Sequence, residues 1–259
     1  MSVTPKILVI DTETSPNLVF TWGHWKQNIS PKQVVKTWEF LSFAAKWLGD
    51  DEVIYKDSRE GNDQQLVSQM CELLNEADYA IAHNGDRFDF KKIRARALVH
   101  GFNPPAPVKT IDTLSIARRE FGFAANSLEY LSMVLNCKLK KGGHKKFPGF
   151  DLWVECMRGN QEAWDEMREY NILDILVLEE LYLKLRPWDT KHPNVAIMLE
   201  TVDKPTCPKC GGTHLQYRGY AYTNVGKYHR LHCQTCGGWS RSRYTLQKKN
   251  ENLLANQVN

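Results

Sequence analysis

The sequence predicts an α/β fold followed by a small cysteine-rich domain, and three features support this prediction. The run Ile7 to Ile10 has no polar side chain, which is typical of a strand buried on both faces of a sheet. Strand patterns give way, near residue 64, to alternating helix and strand patterns. Two C-x-x-C motifs follow residue 205. We therefore expect one α/β core and one small metal-stabilised domain.

Strand patterns dominate the first 60 residues. After the strand that begins at Ile7, residues 17–25 are rich in aromatic and branched side chains and predict a second strand, antiparallel to the first. Residues 28–36 are expected to form a loop, and residues 40–48 and 52–56 are two further strands. These patterns predict an antiparallel meander at the start of the chain.

Helix patterns alternate with short strands in the rest of the core. Residues 64–75 place their apolar side chains on one helix face, and residues 79–82 and 108–111 are short strands. Further helices are predicted over residues 88–100, 113–121, 127–135 and 161–185. The result is a sheet flanked by helices.

Length and composition are those of a globular protein, with 259 residues of which 42% are hydrophobic and 25% charged. No apolar run approaches the roughly 18 residues needed to span a bilayer, and the N-terminal residues lack a secretory pattern. We therefore expect no membrane partner and a cytoplasmic location, or the host cytoplasm if a virus encodes the protein. The predicted domains are residues 1–190 (core), 191–204 (linker), 205–246 (cysteine-rich domain) and 247–259 (tail).

The charge of the chain is unevenly distributed. Residues 203–259 contain nine Lys or Arg and two acidic residues, a net charge of +7, whereas the rest of the chain carries −3. A near-neutral body with a basic appendage predicts catalysis in the first part and contact with a polyanion in the second.

Four cysteines form the two C-x-x-C motifs, and each motif is followed by two glycines. They are Cys207, Cys210, Cys233 and Cys236. Four thiolates complete a tetrahedral zinc site with no open position, so we predict one structural Zn²⁺ in a zinc ribbon. A redox dithiol would need only one pair. Three histidines of this segment, His214, His229 and His232, are alternative ligands, but four cysteines already saturate the metal.

Acidic residues follow the predicted strands of the core. Asp11 and Glu13 end the first strand, although a D-x-E pair alone is more typical of a strand that runs into a capped turn. Asp89 lies where another strand gives way to a helix, and Tyr170 and Asp174 share one helix face. Four converging carboxylates need cations, and two Mg²⁺ or Mn²⁺ ions are typical of phosphodiester hydrolysis.

Three motifs carry a resemblance to a known family. Asp11-Thr12-Glu13, the segment from Asn84 to Asp89, and Tyr170 to Asp174 occur in the order found in the DEDD 3′-to-5′ exonucleases of the ribonuclease H-like superfamily, in the tyrosine subclass, DEDDy. The chain is similar, over about residues 5–186, to the proofreading domains of family B DNA polymerases. The resemblance implies a ribonuclease H-like, mixed five-stranded sheet flanked by helices.

The resemblance also implies roles for the five motif residues. Four carboxylates, Asp11, Glu13, Asp89 and Asp174, would hold two Mg²⁺ or Mn²⁺ ions. Tyr170 would orient the attacking water, because a phenol with a pKa near 10 is a poor base at neutral pH.

Two neighbouring aspartates have structural interpretations. Asp86 is a rival to Asp89, but Asp89 follows Phe88 as in the family motif, and Asp86 is expected to cap the next helix. Asp112 is expected to cap a strand end.

Basic residues predict two contacts with nucleic acid. The lysine-rich segment 138–146 either binds phosphate or is a solvated surface loop. In the ribbon, aromatic residues alternate with cations, a composition typical of single-strand binding, although some of these aromatics are expected to build its small core. The candidate nucleic-acid-binding residues are Asn84, Lys140, Lys141, Lys145, Lys146, Arg218, Lys227, Arg230, Trp239, Arg241 and Arg243.

The function expected from these features is metal-dependent 3′-to-5′ exonuclease activity on single-stranded DNA. Three alternatives remain open: an exoribonuclease, a structure-specific endonuclease, and a nucleic-acid-binding protein whose nuclease core is vestigial. The ribbon either binds substrate or docks a replication or repair protein.

Overall fold

The computed structural model describes residues 5–139, 146–199, 202–248 and 252–254. The chain divides into two compact units, one formed by Lys6–Tyr182 and the other by Leu183–Asn259 with Met1–Pro5. Within the described ranges, no helix combines the length and the apolar character that crossing a membrane requires.

In its described residues, the first unit contains seven strands and six α-helices. The strands are β1 (Ile7–Thr14), β2 (Leu18–Val19), β3 (Val34–Lys36), β4 (Phe40–Trp47), β5 (Ile54–Asp57), β6 (Tyr79–Ala82) and β7 (Lys109–Asp112). The helices are α1 (Gln64–Glu76), α2 (Asp89–Val99), α3 (Thr113–Glu120), α4 (Leu128–Val134), α5 (Asp151–Met157) and α6 (Gln161–Leu185), the last of which continues three residues beyond this unit.

Five of the strands form one mixed sheet in the order β5-β4-β1-β6-β7. β1 is central, antiparallel to β4 and parallel to β6. Ile7 to Ile10 are all buried, which agrees with the prediction from the uninterrupted apolar run. The predicted mixed five-stranded sheet flanked by helices is therefore confirmed.

The two faces of β1 pack against different helices. Leu8 and Ile10 lie in a core with Met70 of α1 and Ile93 of α2. Side chains alternate along a strand, so Thr12 follows the same side, whereas Asp11 and Glu13 face the other. A second core includes residues of α5 and α6, and Tyr170 of α6 packs against that core. This core lies close to the acidic pair. This alternation places Thr12 on one face of the sheet and Asp11 and Glu13 on the other.

The prediction of a strand over residues 17–25, antiparallel to β1, is wrong. β4 occupies the antiparallel edge of β1 and β6 occupies the other edge, so no position is left for it. Only Leu18–Val19 is extended, and it pairs with β3 in a separate two-stranded sheet. Residues 34–36, expected in a loop, form β3.

The predicted caps are partly correct. Asp112 caps α3, because its carboxylate accepts hydrogen bonds from the backbone N–H groups of Leu114 and Ser115. Asp86 does not cap α2, since that helix begins at Asp89 and Phe88 occupies the position before it. The sequence also gave no prediction of α5, which has only two buried positions, Leu152 and Cys156.

The second unit is built on a three-stranded antiparallel sheet. Its strands are β8 (Leu215–Thr223), β9 (Gly226–Cys233) and β10 (Trp239–Arg241), in the order β10-β9-β8. A 3-10 helix, Val195–Met198, precedes the sheet, and the Val195 N–H donates a hydrogen bond to the carbonyl oxygen of Pro208.

A buried ionic network joins α2 to β4 and α1. Asp63 is fully buried and accepts hydrogen bonds from Arg96 Nε at 2.7 Å and from the backbone N–H of Phe40 at 3.0 Å. His100 Nε2 lies 2.8 Å from the same carboxylate. Burial favours the protonated acid, but these hydrogen bonds outweigh burial and lower the pKa of Asp63.

We expect Asp63→Asn to destabilise the protein by about 3 kcal/mol, because it removes the closest counter-charge of the buried Arg96 and leaves only Glu39, 3.7 Å away. The native pKa is lowered, so this contribution is present above the unfolded-state pKa and is lost as the pH falls through the native value. Urea unfolding at neutral pH and in acid measures the difference.

The matched control is Glu76→Gln, which breaks the exposed ion pair between Lys6 and Glu76. This change should cost less than about 1 kcal/mol. Equal losses for both variants would contradict the role given to burial.

Candidate metal centres

Three carboxylates meet at the end of the central strand. Oxygens of Asp11, Glu13 and Asp174 all lie within 4.8 Å of one another. Asp11 and Glu13 project from the same face of β1, and Asp174 is fixed on α6 and buried. We call these three residues the carboxylate cluster.

Asn171 of α6 holds Asp11 in place. Its Nδ2 donates a 2.7 Å hydrogen bond to Asp11 Oδ2, and its Oδ1 accepts a 3.1 Å hydrogen bond from Ser42 Oγ. Asn171 is fully buried, as is Ser42. Because both ends of the amide are bonded, the amide has one orientation, and it presents a donor to the Asp11 carboxylate.

Trp153 of α5 holds Glu13. Its indole N–H donates a 3.0 Å hydrogen bond to Glu13 Oε2. The same indole packs edge-on against Tyr170, with ring centroids 6.1 Å apart and an interplanar angle of 79°. Tyr170 thus lies beside the carboxylate cluster, with its ring fixed by a residue that also fixes one of the carboxylates.

Asn171 and Trp153 are not predicted by the sequence patterns. Asn171 lies within the Tyr170 to Asp174 motif, but its partner Ser42 is 129 residues away along the chain. Trp153 belongs to a helix of seven residues, too short for a clear apolar period.

Asp89 lies on the other side of β1. Its Oδ1 accepts hydrogen bonds from the backbone N–H of Thr12 at 3.1 Å and from the Thr12 hydroxyl at 2.6 Å. It is therefore not among the three carboxylates that come together in the described chain. Burial raises the pKa of Asp89 to about 6, although the hydrogen bonds from Thr12 oppose this shift. A nearby cation would favour the ionised form.

The carboxylate cluster fits a hard divalent cation. Mg²⁺ binds oxygen at about 2.0–2.1 Å, so opposite ligands of one ion lie about 4.2 Å apart. All three oxygens lie within 4.8 Å of one another, so small side-chain movements bring them onto one ion. Oxygen donors suit Mg²⁺ and Mn²⁺ rather than soft metals.

The four cysteines of the second unit form a separate cluster. Cys207 Sγ lies 3.7 Å from Cys236 Sγ, and Cys210 Sγ lies 3.7 Å from Cys233 Sγ. Four sulfurs at 2.3 Å from a tetrahedral Zn²⁺ would lie about 3.8 Å apart, whereas a disulfide needs about 2.05 Å. The spacing fits zinc and excludes disulfides between these pairs.

Two matching turns shape this cluster. In each turn the first cysteine donates its backbone N–H to the second glycine after the motif, Gly212 or Gly238. The first glycines have positive φ, 72° at Gly211 and 79° at Gly237. A Cβ on Gly212 would lie 3.3 Å from Cys210 Sγ, closer than most side-chain contacts. The glycines are therefore required by the cluster.

The predicted nucleic-acid contacts of the core are placed only in part. Lys140, Lys141 and Lys145 lie outside the described residues. Lys146 forms an exposed ion pair with Glu162 at 3.4 Å. Asn84 has a positive φ of 70°, and its backbone N–H donates to Asp112 Oδ1 at 2.9 Å.

Aromatic side chains of the second unit are exposed to solvent, and cationic side chains lie over their rings. Trp239 and Tyr220 are about half exposed, so they do not build a buried core. Lys227 Nζ lies 3.8 Å from the centre of the Tyr220 ring, and the Arg230 guanidinium lies 5.3 Å from Trp239. Two further arginines lie over tyrosine rings, Arg241 over Tyr228 and Arg243 over Tyr244.

The RNase H superfamily profile matches residues 43–186, just over half of the chain. The chain belongs to the RNase H superfamily. The matched residues include Asp89, Tyr170 and Asp174, but the match begins after β1. The assignment of Asp11 and Glu13 to the site therefore rests on the geometry described above. The predicted ribonuclease H-like fold is confirmed.

A solved structure supports the same fold. The family B DNA polymerase from the hyperthermophilic archaeon Pyrobaculum calidifontis matches with a TM-score of 0.50 and 11% sequence identity. The match covers 71% of this chain and 25% of the polymerase, so the chain corresponds to a small part of that protein. The search of curated proteins gives no match.

We expect the double variant Cys207→Ser, Cys210→Ser to lose the metal of the second unit, because two thiolates cannot complete a tetrahedral site. Elemental analysis of the purified protein should fall from about one zinc per chain to none. Cys71→Ala is the control, since Cys71 lies in the core of the first unit and should leave the zinc content unchanged. Retention of zinc by the double variant would contradict the assignment.

Proposed function

We propose that the protein is a metal-dependent 3′-to-5′ exonuclease of the DEDD tyrosine subclass, with single-stranded DNA as its preferred substrate. The observation that carries this proposal is the convergence of Asp11, Glu13 and Asp174 on an RNase H-like sheet, although Asp11 and Asp174 are far apart in sequence. The order of the three motifs and the position of Tyr170 beside the cluster support the subclass.

The proposed chemistry is hydrolysis of the terminal phosphodiester bond. Two Mg²⁺ or Mn²⁺ ions, when bound, supply positive charge to the attacking and leaving oxygens. Asp11, Glu13 and Asp174 would hold them, with Asp89 completing the set from the Thr12 side. Asn171 and Trp153 keep the first two carboxylates in one orientation, which preorganises the site.

Tyr170 would position the attacking water through its hydroxyl group. A phenol with an ordinary pKa near 10 is neutral at pH 7, so it donates or accepts a hydrogen bond rather than removing a proton. Edge-on packing against Trp153, which also donates to Glu13, limits movement of the Tyr170 ring.

The second unit would be a zinc ribbon that binds the substrate backbone. The net charge of +7 over residues 203–259 and the exposed aromatic rings of this unit support contact with a single strand. Docking of a replication or repair protein is the alternative use of the same surface.

We expect Asp11→Asn and Asp174→Asn each to lower the rate of cleavage by about 1,000-fold or more, because each removes charge that holds a cation. The rate at which a 5′-labelled single strand of DNA is shortened in Mg²⁺ measures the effect. Asp86→Asn is the matched control, since Asp86 is exposed and outside the cluster. A cluster variant with normal turnover would refute the site.

The same assay separates the alternative activities. A circular single strand has no end, so its cleavage would identify an endonuclease. RNA labelled in the same way, if degraded faster than DNA, would identify an exoribonuclease. Tight binding without cleavage of either would identify a non-catalytic nucleic-acid-binding protein.

Four glutamine substitutions test the ribbon as a phosphate-binding surface. If Lys227, Arg230, Arg241 and Arg243 contact phosphates, the quadruple variant should lower the slope of log affinity against log salt by about 3, at roughly 0.7 per phosphate. Binding of single-stranded DNA at several salt concentrations measures the slope. The control replaces four exposed cations of the first unit, Lys6, Lys56, Lys109 and Arg158, and should leave the slope unchanged. Equal slopes for all three proteins would favour protein docking instead.

A further inference from the structure

The segment between β1 and β4 exposes large aromatic side chains to solvent. Trp22 is 101% exposed, Trp25 86% and Phe20 75%. They lie in residues 17–36, which fold back on themselves through pairing of β2 with β3. We call residues 17–36 the aromatic hairpin. Exposed apolar groups of this size are typical of binding surfaces.

The aromatic hairpin is an ordered element. The Phe20 N–H donates to the carbonyl oxygen of Gln33 at 2.9 Å, and Gln33 Nε2 donates to the carbonyl oxygen of Phe20 at 3.0 Å. Ser30 and Gln33 form a reciprocal cap on the short 3-10 helix at Pro31–Gln33. The exposed rings are therefore presented by a folded backbone, which reduces the entropy lost on binding.

The base of the hairpin lies beside the carboxylate cluster. The Ser15 N–H donates to the carbonyl oxygen of Glu39, and the Glu39 N–H donates to Ser15 Oγ, both at 2.8–2.9 Å. Glu13 is only two residues before Ser15. Three residues of extended chain reach about 10 Å, so Pro16 lies within that distance of Glu13.

The charged side chains within the aromatic hairpin are of one sign. Between Thr14 and Trp38 the chain has three lysines, Lys26, Lys32 and Lys36, and no acidic residue. Lys36 pairs with Glu39 at the base, whereas Lys26 and Lys32 are exposed. A surface that combines exposed tryptophans with unopposed cations is complementary to a polyanion that carries flat apolar groups.

The same character continues onto α2. Lys92 Nζ lies 3.7 Å from the centre of the Trp38 ring, 4.8 Å from that of Phe88, and 3.4 Å from Thr14 Oγ1. Thr14 ends β1, so this cation lies at the end of the strand that carries Asp11 and Glu13. Aromatic and basic side chains of the hairpin and of the start of α2 thus lie along the same end of β1.

We propose that the aromatic hairpin is a stacking platform for unpaired bases of the strand whose end enters the carboxylate cluster. The inference rests on the proposed nuclease function, because it assigns the hairpin to the same substrate. Trp22 and Trp25 stack on bases, and Lys26 and Lys32 neutralise phosphates between them. Stacking does not depend on base identity, so the platform accepts any single-stranded sequence.

Single-stranded nucleic acid fits this surface better than a protein does. The fully buried centre of a stable protein interface is a contiguous apolar patch. Here the largest side chains are separate, largely solvated rings, and Lys26 directly follows Trp25. Flat, separate rings match the faces of successive bases.

The first experiment distinguishes stacking from apolar contact. All binding measurements use the Asp11→Asn background, which prevents cleavage, and a 5′-fluorescein oligothymidylate of about 12 nucleotides. Replacing both Trp22 and Trp25 by Leu should weaken binding about 100-fold, at roughly 10-fold per stacked base. Replacing both by Tyr keeps an aromatic face and should weaken binding only about threefold.

The matched control is the pair Leu98→Ala, Val99→Ala, two exposed apolar residues at the far end of α2. This pair should leave the affinity unchanged. Thermal unfolding of each variant verifies that the fold is retained, since none of the four side chains is buried.

The second experiment locates the bases. Oligothymidylates with abasic sites at successive positions from the 3′ end should bind the wild-type hairpin more weakly when the missing bases are those that stack. At those positions the Leu variant should show little additional loss, because the two changes remove the same contact.

Equal affinities of the Leu, Tyr and unsubstituted proteins would overturn the proposal. So would equal losses for Leu and Tyr without dependence on abasic position. If the Leu variant instead converts a dimer to a monomer in sedimentation at unchanged DNA affinity, the hairpin is an interface between copies, and the proposal is wrong.

The nuclease function is tested separately by cleavage of the same oligonucleotides with the unsubstituted protein. Cleavage without any effect of the tryptophans would leave the nuclease and refute the platform. Tryptophan-dependent binding without cleavage would leave the platform and refute the nuclease.

Discussion

The alternation of side chains along β1 is the constraint on which the rest of the first unit depends. Hydrogen bonding to β4 on one edge and β6 on the other fixes the strand, so each residue has one face. Leu8, Ile10 and Thr12 face α1 and α2, whereas Asp11 and Glu13 face α6. A slip of one residue would exchange these faces and move both carboxylates to the wrong side of the sheet.

The same alternation explains which parts of the site the sequence could predict. Asp11 and Glu13 are two residues apart on a strand whose apolar run is unmistakable, so their common direction follows from the strand period. The shared direction of Tyr170 and Asp174 follows from the helix period in the same way. Both predictions need only local geometry.

Other contacts depend on parts of the chain that no local pattern connects. Asn171 donates to Asp11 while Ser42 of β4, far away along the chain, donates its hydroxyl hydrogen to the same amide. Trp153 reaches Glu13 from a two-turn helix whose apolar period is too short to detect. Residues 17–25 have a strand-like composition, but both edges of β1 are occupied, so tertiary structure overrides local preference.

The register shift between Glu13 and Thr14 separates the regularly paired part of β1 from the connection that follows it. Before it, each residue from Leu8 to Glu13 is paired with a fixed partner on β4. After it, Ser15 and Glu39 close the connection with two hydrogen bonds, and the chain leaves the sheet. A longer closed loop costs only slightly more conformational entropy. The segment beyond these two hydrogen bonds can therefore change in length or composition while the carboxylates keep their register. The fold thus keeps a rigid centre for chemistry beside a connection that is free to vary.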